Sequence, residues 1–215
     1  MSNDSIDLAR LFEAVRATIN RNREALDQAD TKNGNHGEHM LEIFKIATQA
    51  AKERQGDNLA EAMEYASWLL LQYPENGSAL LYGRGLAELA IQFRKRNINL
   101  DELVLYVRGV LEEKKDAEPS LPQGRAGEIL KALLAGLSGW QQAETGQAQP
   151  ANRLEIGYLF ELGMAYMQAK QRGGSRAEIL ADAAASASPL NGVPHRYLSG
   201  KMSIQAFLEA MRGEM

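Results

Sequence analysis

Apolar residues recur three and four positions apart along almost the whole of this chain, while strict alternation is scarce, so helices must carry the fold. The expectation is an all-α protein: an antiparallel bundle or barrel of about eight amphipathic helices, forming a single domain over 1–215. At 215 residues and 45% hydrophobic content, one substantial core is within reach. Lys and Arg number 24 against 28 for Asp and Glu, a formal charge of −4, so no nucleic-acid partner is expected. The count of zero cysteines excludes disulfides, thiolate metal sites and cysteine nucleophiles. No run of about 20 apolar residues occurs, and the N-terminal residues lack a basic stretch leading into an apolar one. A cytoplasmic protein with no membrane span is the resulting expectation.

Asp4 or Ser5 can cap a first helix, with Ile6, Ala9, Phe12, Val15 and Ile19 inward, that fades near Leu26. Asp27 to Gly37 reads as a structured loop, because Asp, Asn and Gly bond the local backbone or accept positive φ. Further helices are expected from Glu38 to Arg54, from Asn58 to Tyr73 and from Ser78 to Arg96. Gly83 and Gly85 lie inside the last of these at a cost of roughly 1 kcal/mol each, which points to close helix packing. The fifth helix runs from Glu102 to Lys115, the sixth from Glu128 to Gln142 and the seventh from Arg153 to Lys170, with Met164 and Met167 on its buried stripe. An eighth begins near Ser175, and a short amphipathic segment from Ser203 to Arg212 follows a loop holding Pro194 and His195. Trp68 and Trp140 sit on apolar faces and read as core.

Chemistry has few places to reside. His36 and His39 lie three apart, yet no third strong ligand stands at a recognisable spacing and no HExxH pattern occurs, so zinc is disfavoured. No residue is assigned a catalytic role. The loops Lys32-Asn33-Gly34-Asn35-His36-Gly37 and Pro74-Glu75-Asn76-Gly77-Ser78 each precede a helix, where free amides and the helix dipole can hold an anion. For either loop taken singly, turn geometry is the favoured account of Asn33, Gly34, Asn35, Asn76 and Gly77.

In this order, the two loops resemble the nucleotide-binding L subunit of dihydroxyacetone (glycerone) kinases. That family carries Leu-Asp-x-x-Ile-Gly-Asp-x-Asp-His-Gly-x-Asn-Met, matched here by Leu26-Asp27 and by Asn33 through Met40. Its Gly-Gly-x-Ser-Gly-Pro-Leu-Tyr-Gly is matched by Glu75 through Gly83, with Ser78, Leu81, Tyr82 and Gly83 in agreement. A third motif keeps Leu130, Ala132 and Leu133, and Gly174-Ser175-Arg176-Ala177 echoes a late Gly-Arg-Ala element. The resemblance implies a helical barrel binding ADP or ATP with Mg²⁺ at one rim, and an apolar interior. It assigns the metal to Asp30 (with Asp27 as the competing choice), Asn33 and Asn35, and the nucleotide to His36, Gly37, Asn76, Gly77 and Ser78. It also implies a partner: a substrate-holding kinase subunit or a phosphotransferase-system protein.

Where the family has aspartate, this chain has Asn33 and Asn35. Mg²⁺ prefers anionic oxygen, and losing two charges beside a polyphosphate weakens binding by kilocalories per mole on the Coulomb scale. Phosphoryl transfer depends on that charge neutralisation. The leading expectation is therefore a divergent L-subunit-like protein with a degenerate nucleotide site and a binding, regulatory or scaffolding role. A working ADP/ATP-binding subunit is the alternative, and a carrier of an apolar ligand in the barrel is the second, motivated by Met40, Met63, Met164 and Met167.

Overall fold

The computed structural model describes residues 7–112, 129–130, 133–134, 151–188 and 191–213, the stretch 151–160 by its backbone alone. Every regular element among them is a helix: α1 (Leu8–Arg21), α2 (Arg23–Ala29), α3 (His36–Glu53), α4 (Leu59–Leu70), α5 (Gly77–Arg96), α6 (Leu100–Glu112), α7 (Ala151–Arg172), α8 (Arg176–Ala187) and α9 (Pro194–Arg212). The sixth helix expected from sequence lies mostly outside the described residues, as does Trp140, although Ile129, Leu130, Leu133 and Leu134 are buried.

Local chemistry sets the boundaries. Asp7 accepts the Arg10 N–H at 2.8 Å and starts α1. Asn22 then interrupts what the sequence reads as one helix to Leu26, closing α1 and opening α2. Asn58, Asn76 and Ser175 cap α4, α5 and α8 through their side chains, Ser175 in a capping box with Glu178. Asn97, left-handed at φ 50°, ends α5. The largest departure is α9. Pro194 lies at its first position, where a missing N–H costs nothing, so a helix of 19 residues replaces the expected loop and short segment.

Helix α9 packs against α1, α2, α3, α6 and α8, while α4 pairs with α5 and α7 with α8. Phe12, Phe44 and Phe207 fill the space between α1, α3 and α9, with ring centroids 6.4 and 6.1 Å apart. Met40 and Met63 are solid core beside them. Gly83 brings α5 onto α4: a Cβ there would stand 3.1 Å from Leu71 and 3.2 Å from Leu70, the close packing that the interior glycine signals.

Two sequence expectations need correction. Trp68 is 56% exposed, stacked on Tyr65 rather than in the core. Met164 and Met167 also face outward, because the buried face of α7 is set by Leu162, Ala165, Tyr166 and Ala169, at steps of three and four.

Asp182 ties the C-terminal helices together. Its carboxylate accepts from the Tyr197 hydroxyl, the Arg172 guanidinium and the Lys201 ammonium, the last at 2.9 Å. Burial alone would raise this carboxyl, but the bonds from Tyr197 and Lys201 and the charges of Lys201 and Arg172 outweigh it and hold it below the usual range. Its stability contribution is therefore complete above the unfolded carboxyl pKa and lost as pH falls through the folded one. Asp182→Asn is expected to cost about 3 kcal/mol in denaturant unfolding at neutral pH and to flatten the decline in stability below the ordinary carboxylate range.

Candidate functional site

Three helices begin at one end of the molecule: α3 at His36, α5 at Gly77 and α9 at Pro194. The His36 and His195 rings are 4.5 Å apart, and an Arg196 nitrogen lies 3.9 Å from where a Gly77 Cβ would stand. Asn76 Nδ2 donates to the His39 carbonyl at 3.3 Å and to Glu42 at 3.2 Å, binding the start of α5 to α3. Thus the two sequence loops do share one rim, together with a third element that the sequence reading left as a loop.

The polar groups of that rim are largely engaged with one another. Asp27 Oδ1 accepts the Gly37 N–H at 2.7 Å, capping α3 from ten residues upstream. A Cβ on Gly37 would meet the Arg23 carbonyl at 2.6 Å, so glycine is required where α2 crosses the start of α3. Asp30, buried, accepts the N–H groups of Lys32 and Asn33 at 3.2 and 3.3 Å and faces His195 Nδ1 at 3.7 Å. Burial opposes ionisation of Asp30, yet the backbone donors and His195 prevail and hold its carboxyl below the usual range. Asn76 Oδ1 accepts from the amides of Ser78 and Ala79 at 3.1 and 3.0 Å. Ser78 is buried, Gly77 is exposed, and Asn33 sits on the exposed turn that Gly34 completes at φ 66°.

His36 is buried, with Nε2 2.9 Å from Ser199 Oγ. Burial first, then the neighbouring His195 and Arg196, lower its pKa to about 4, and Asp30 opposes them. The ring is therefore neutral at physiological pH. Tyr82 packs edge-on against Phe44 and donates to Ser203 at 3.4 Å, and burial pushes its hydroxyl up to about 12. Burial lowers the Arg196 guanidinium, while Tyr82 and Asp30 favour its charge. His195, Ser199 and Ser203 recur every four residues on one face of α9. That spacing is the signal by which a sequence could have shown these site-facing residues.

The donor set does not fit a Mg²⁺ centre. No group of three His, Asp or Glu side chains among the described residues could hold a metal. Asp27 and Asp30 each spend an oxygen on backbone N–H groups, and Asn33 lies on the exposed turn. Asn35 Oδ1 is buried without a partner, one neutral acceptor where a dication needs several anionic ones.

No family model, curated protein or solved structure matches this chain.

Because His36 is neutral when folded and titrates near 6.5 when unfolded, stability is complete above pH 6.5 and falls as pH drops from there toward 4. Thermal unfolding across that window is expected to show a loss of roughly 3 kcal/mol from this group. His36→Gln, which keeps a donor toward Ser199 but cannot titrate, should lower stability at neutral pH and remove most of that slope. An unchanged slope in the variant refutes the assignment.

Proposed function

We propose that this protein is a divergent relative of the glycerone kinase L subunit in which the nucleotide rim is degenerate and the role is partner binding rather than phosphoryl transfer. The observation that carries this reading is the self-capping of α3 and α5. Of the two carboxylates that the family resemblance would offer to a metal, Asp30 accepts the Lys32 and Asn33 N–H groups and Asp27 holds Gly37 N–H, while the Ser78 amide it would offer to a phosphate, with that of Ala79, holds the Asn76 side chain. A nucleotide would have to displace both caps, each worth about 1 kcal/mol, without the two aspartate charges that would recruit Mg²⁺. The partner of such a module is, by the same resemblance, a substrate-holding kinase subunit or a phosphotransferase-system protein.

The unpartnered Asn35 Oδ1 is the observation that favours a working kinase subunit instead, since a cation there would satisfy it. Isothermal titration with ADP, with and without Mg²⁺, separates the readings. No saturable heat is expected up to about 1 mM nucleotide. The double variant Asn33→Asp, Asn35→Asp is expected to stay silent as well, because the α5 amides remain occupied. Micromolar, Mg²⁺-dependent binding by the unaltered protein overturns the proposal in favour of a kinase subunit.

A further inference from the structure

Helices α4 and α5 run antiparallel: Leu71 lies over Gly83 near one end of the pair, and the Arg94 guanidinium bonds Glu64 near the other. Between these two contacts the outward face is apolar. Trp68, one turn on from Glu64, is 56% exposed, and Ile91, one turn back from Arg94, is 52% exposed. Leu71 extends this strip along α4, and half-buried Ala87 continues it along α5 between Gly83 and Ile91. Trp68 is held in its exposed position. Its ring stacks on Tyr65 at 6.0 Å, and Tyr65 is fixed in turn by the Arg54 guanidinium 4.3 Å from its centroid and by donation of its hydroxyl to Glu53 at 2.8 Å. A side chain already fixed loses little rotamer freedom when it is covered.

The charges around the strip are divided by helix. Helix α4 contains Glu61 and Glu64 and no Lys or Arg, whereas the exposed positions of α5 hold Arg84, Arg94 and Lys95 against Glu88 alone. One half of the face is therefore acidic and the other basic, and each half contributes a large apolar side chain. A second copy carries the same division. With a two-fold axis parallel to the helices, α4 of each copy lies on α5 of the other, so acidic meets basic twice and Trp68 meets Ile91 at one level. An axis across the helices would instead set α4 on α4, with like charges opposed.

We infer that the outward α4–α5 face is a dimer interface, closed by a second copy of this chain about a two-fold axis parallel to the two helices. The exposed Glu64–Arg94 pair, worth little to the single chain, becomes half of a four-charge cluster across the axis. The 12 residues of α4 span about 18 Å at the helical rise. A face of that length stands at the lower end of specific interfaces, so the dimer is reversible and forms in the micromolar range. The inference does not depend on the reading of the rim, since neither Trp68 nor Ile91 belongs to it.

Sedimentation velocity of the full chain from about 1 to 300 μM tests the proposal, and a monomer–dimer equilibrium is expected. Trp68→Ala and Ile91→Glu should each weaken it at least about tenfold, with circular dichroism and melting temperature confirming that the variants fold. Glu61→Lys with Glu64→Lys, which makes both halves of the face basic, should weaken it as well. Adding Arg94→Glu and Lys95→Glu to that variant restores opposite charges, so the fourfold variant is expected to dimerise with itself and not with the unaltered chain. A monomer throughout the range overturns the proposal, as does a dimer unchanged in the folded Trp68→Ala and Ile91→Glu proteins. Mixed dimers of the fourfold variant with the unaltered chain overturn it too, because they place α4 on α4.

Discussion

Burial of α9 is the constraint on which the rest of the molecule depends. Ile204, Phe207, Leu208 and Met211 are fully enclosed, and Ser199, Gly200, Ser203, Ala206 and Ala210 give neighbours a close approach on the remaining faces. Helices α1 and α8 pack on that surface, α3 packs in turn chiefly on α1 and α4, and Asp182 anchors α9 from the side through Tyr197 and Lys201. Because α9 begins at Pro194, its first turn delivers His195 and Arg196 to the same rim where α3 and α5 begin. The fold and the chemistry of the rim are therefore consequences of a single packing decision.

Three helix N-termini at one rim create a strong demand for hydrogen-bond acceptors. This chain answers the demand internally, with Asp27 on α3 and Asn76 on α5. Neutral His36 and ionised Asp30 complete a network in which acceptors face donors at short range. With Asn35 Oδ1 as the exception, the rim's polar groups thus find their partners within the protein. A phosphate-binding rim needs the opposite: amides left open until the ligand arrives. On this account, the internal caps of α3 and α5 keep the amides of the rim engaged without a ligand.

Much of the architecture is legible in the residues because long helices with a polar face announce themselves at period 3.6. The stripe Phe12, Val15 and Ile19 and the stripe Met40, Ile43, Phe44 and Ala47 both lie in the core where periodicity places them. The signal fails where a helix is buried on several sides. In the first half of α9 serine and glycine do the packing, so an apolar stripe shows only from Ile204 onward and Pro194 reads as a break. It fails again at Trp68 and at Met164 and Met167, whose hydrophobicity says inside while the neighbouring stripe turns them outward. For the site, the two loops read from sequence lie at one rim, joined by Asn76 to His39 and Glu42. What periodicity does not encode is that Asp27 would cap α3 across ten residues, or that α9 would supply Ser199 and Ser203.

The central claim is that the amides of Gly37, Ser78 and Ala79 are held by the protein itself. Following their nitrogen and proton chemical shifts while Mg²⁺ and ADP are titrated together tests it directly. The account predicts that all three resonances stay fixed and their hydrogen exchange stays slow throughout. A saturable shift of Ser78 and Ala79, with Gly37 moving at the same nucleotide concentration, would contradict it, since the caps would then be yielding to phosphate.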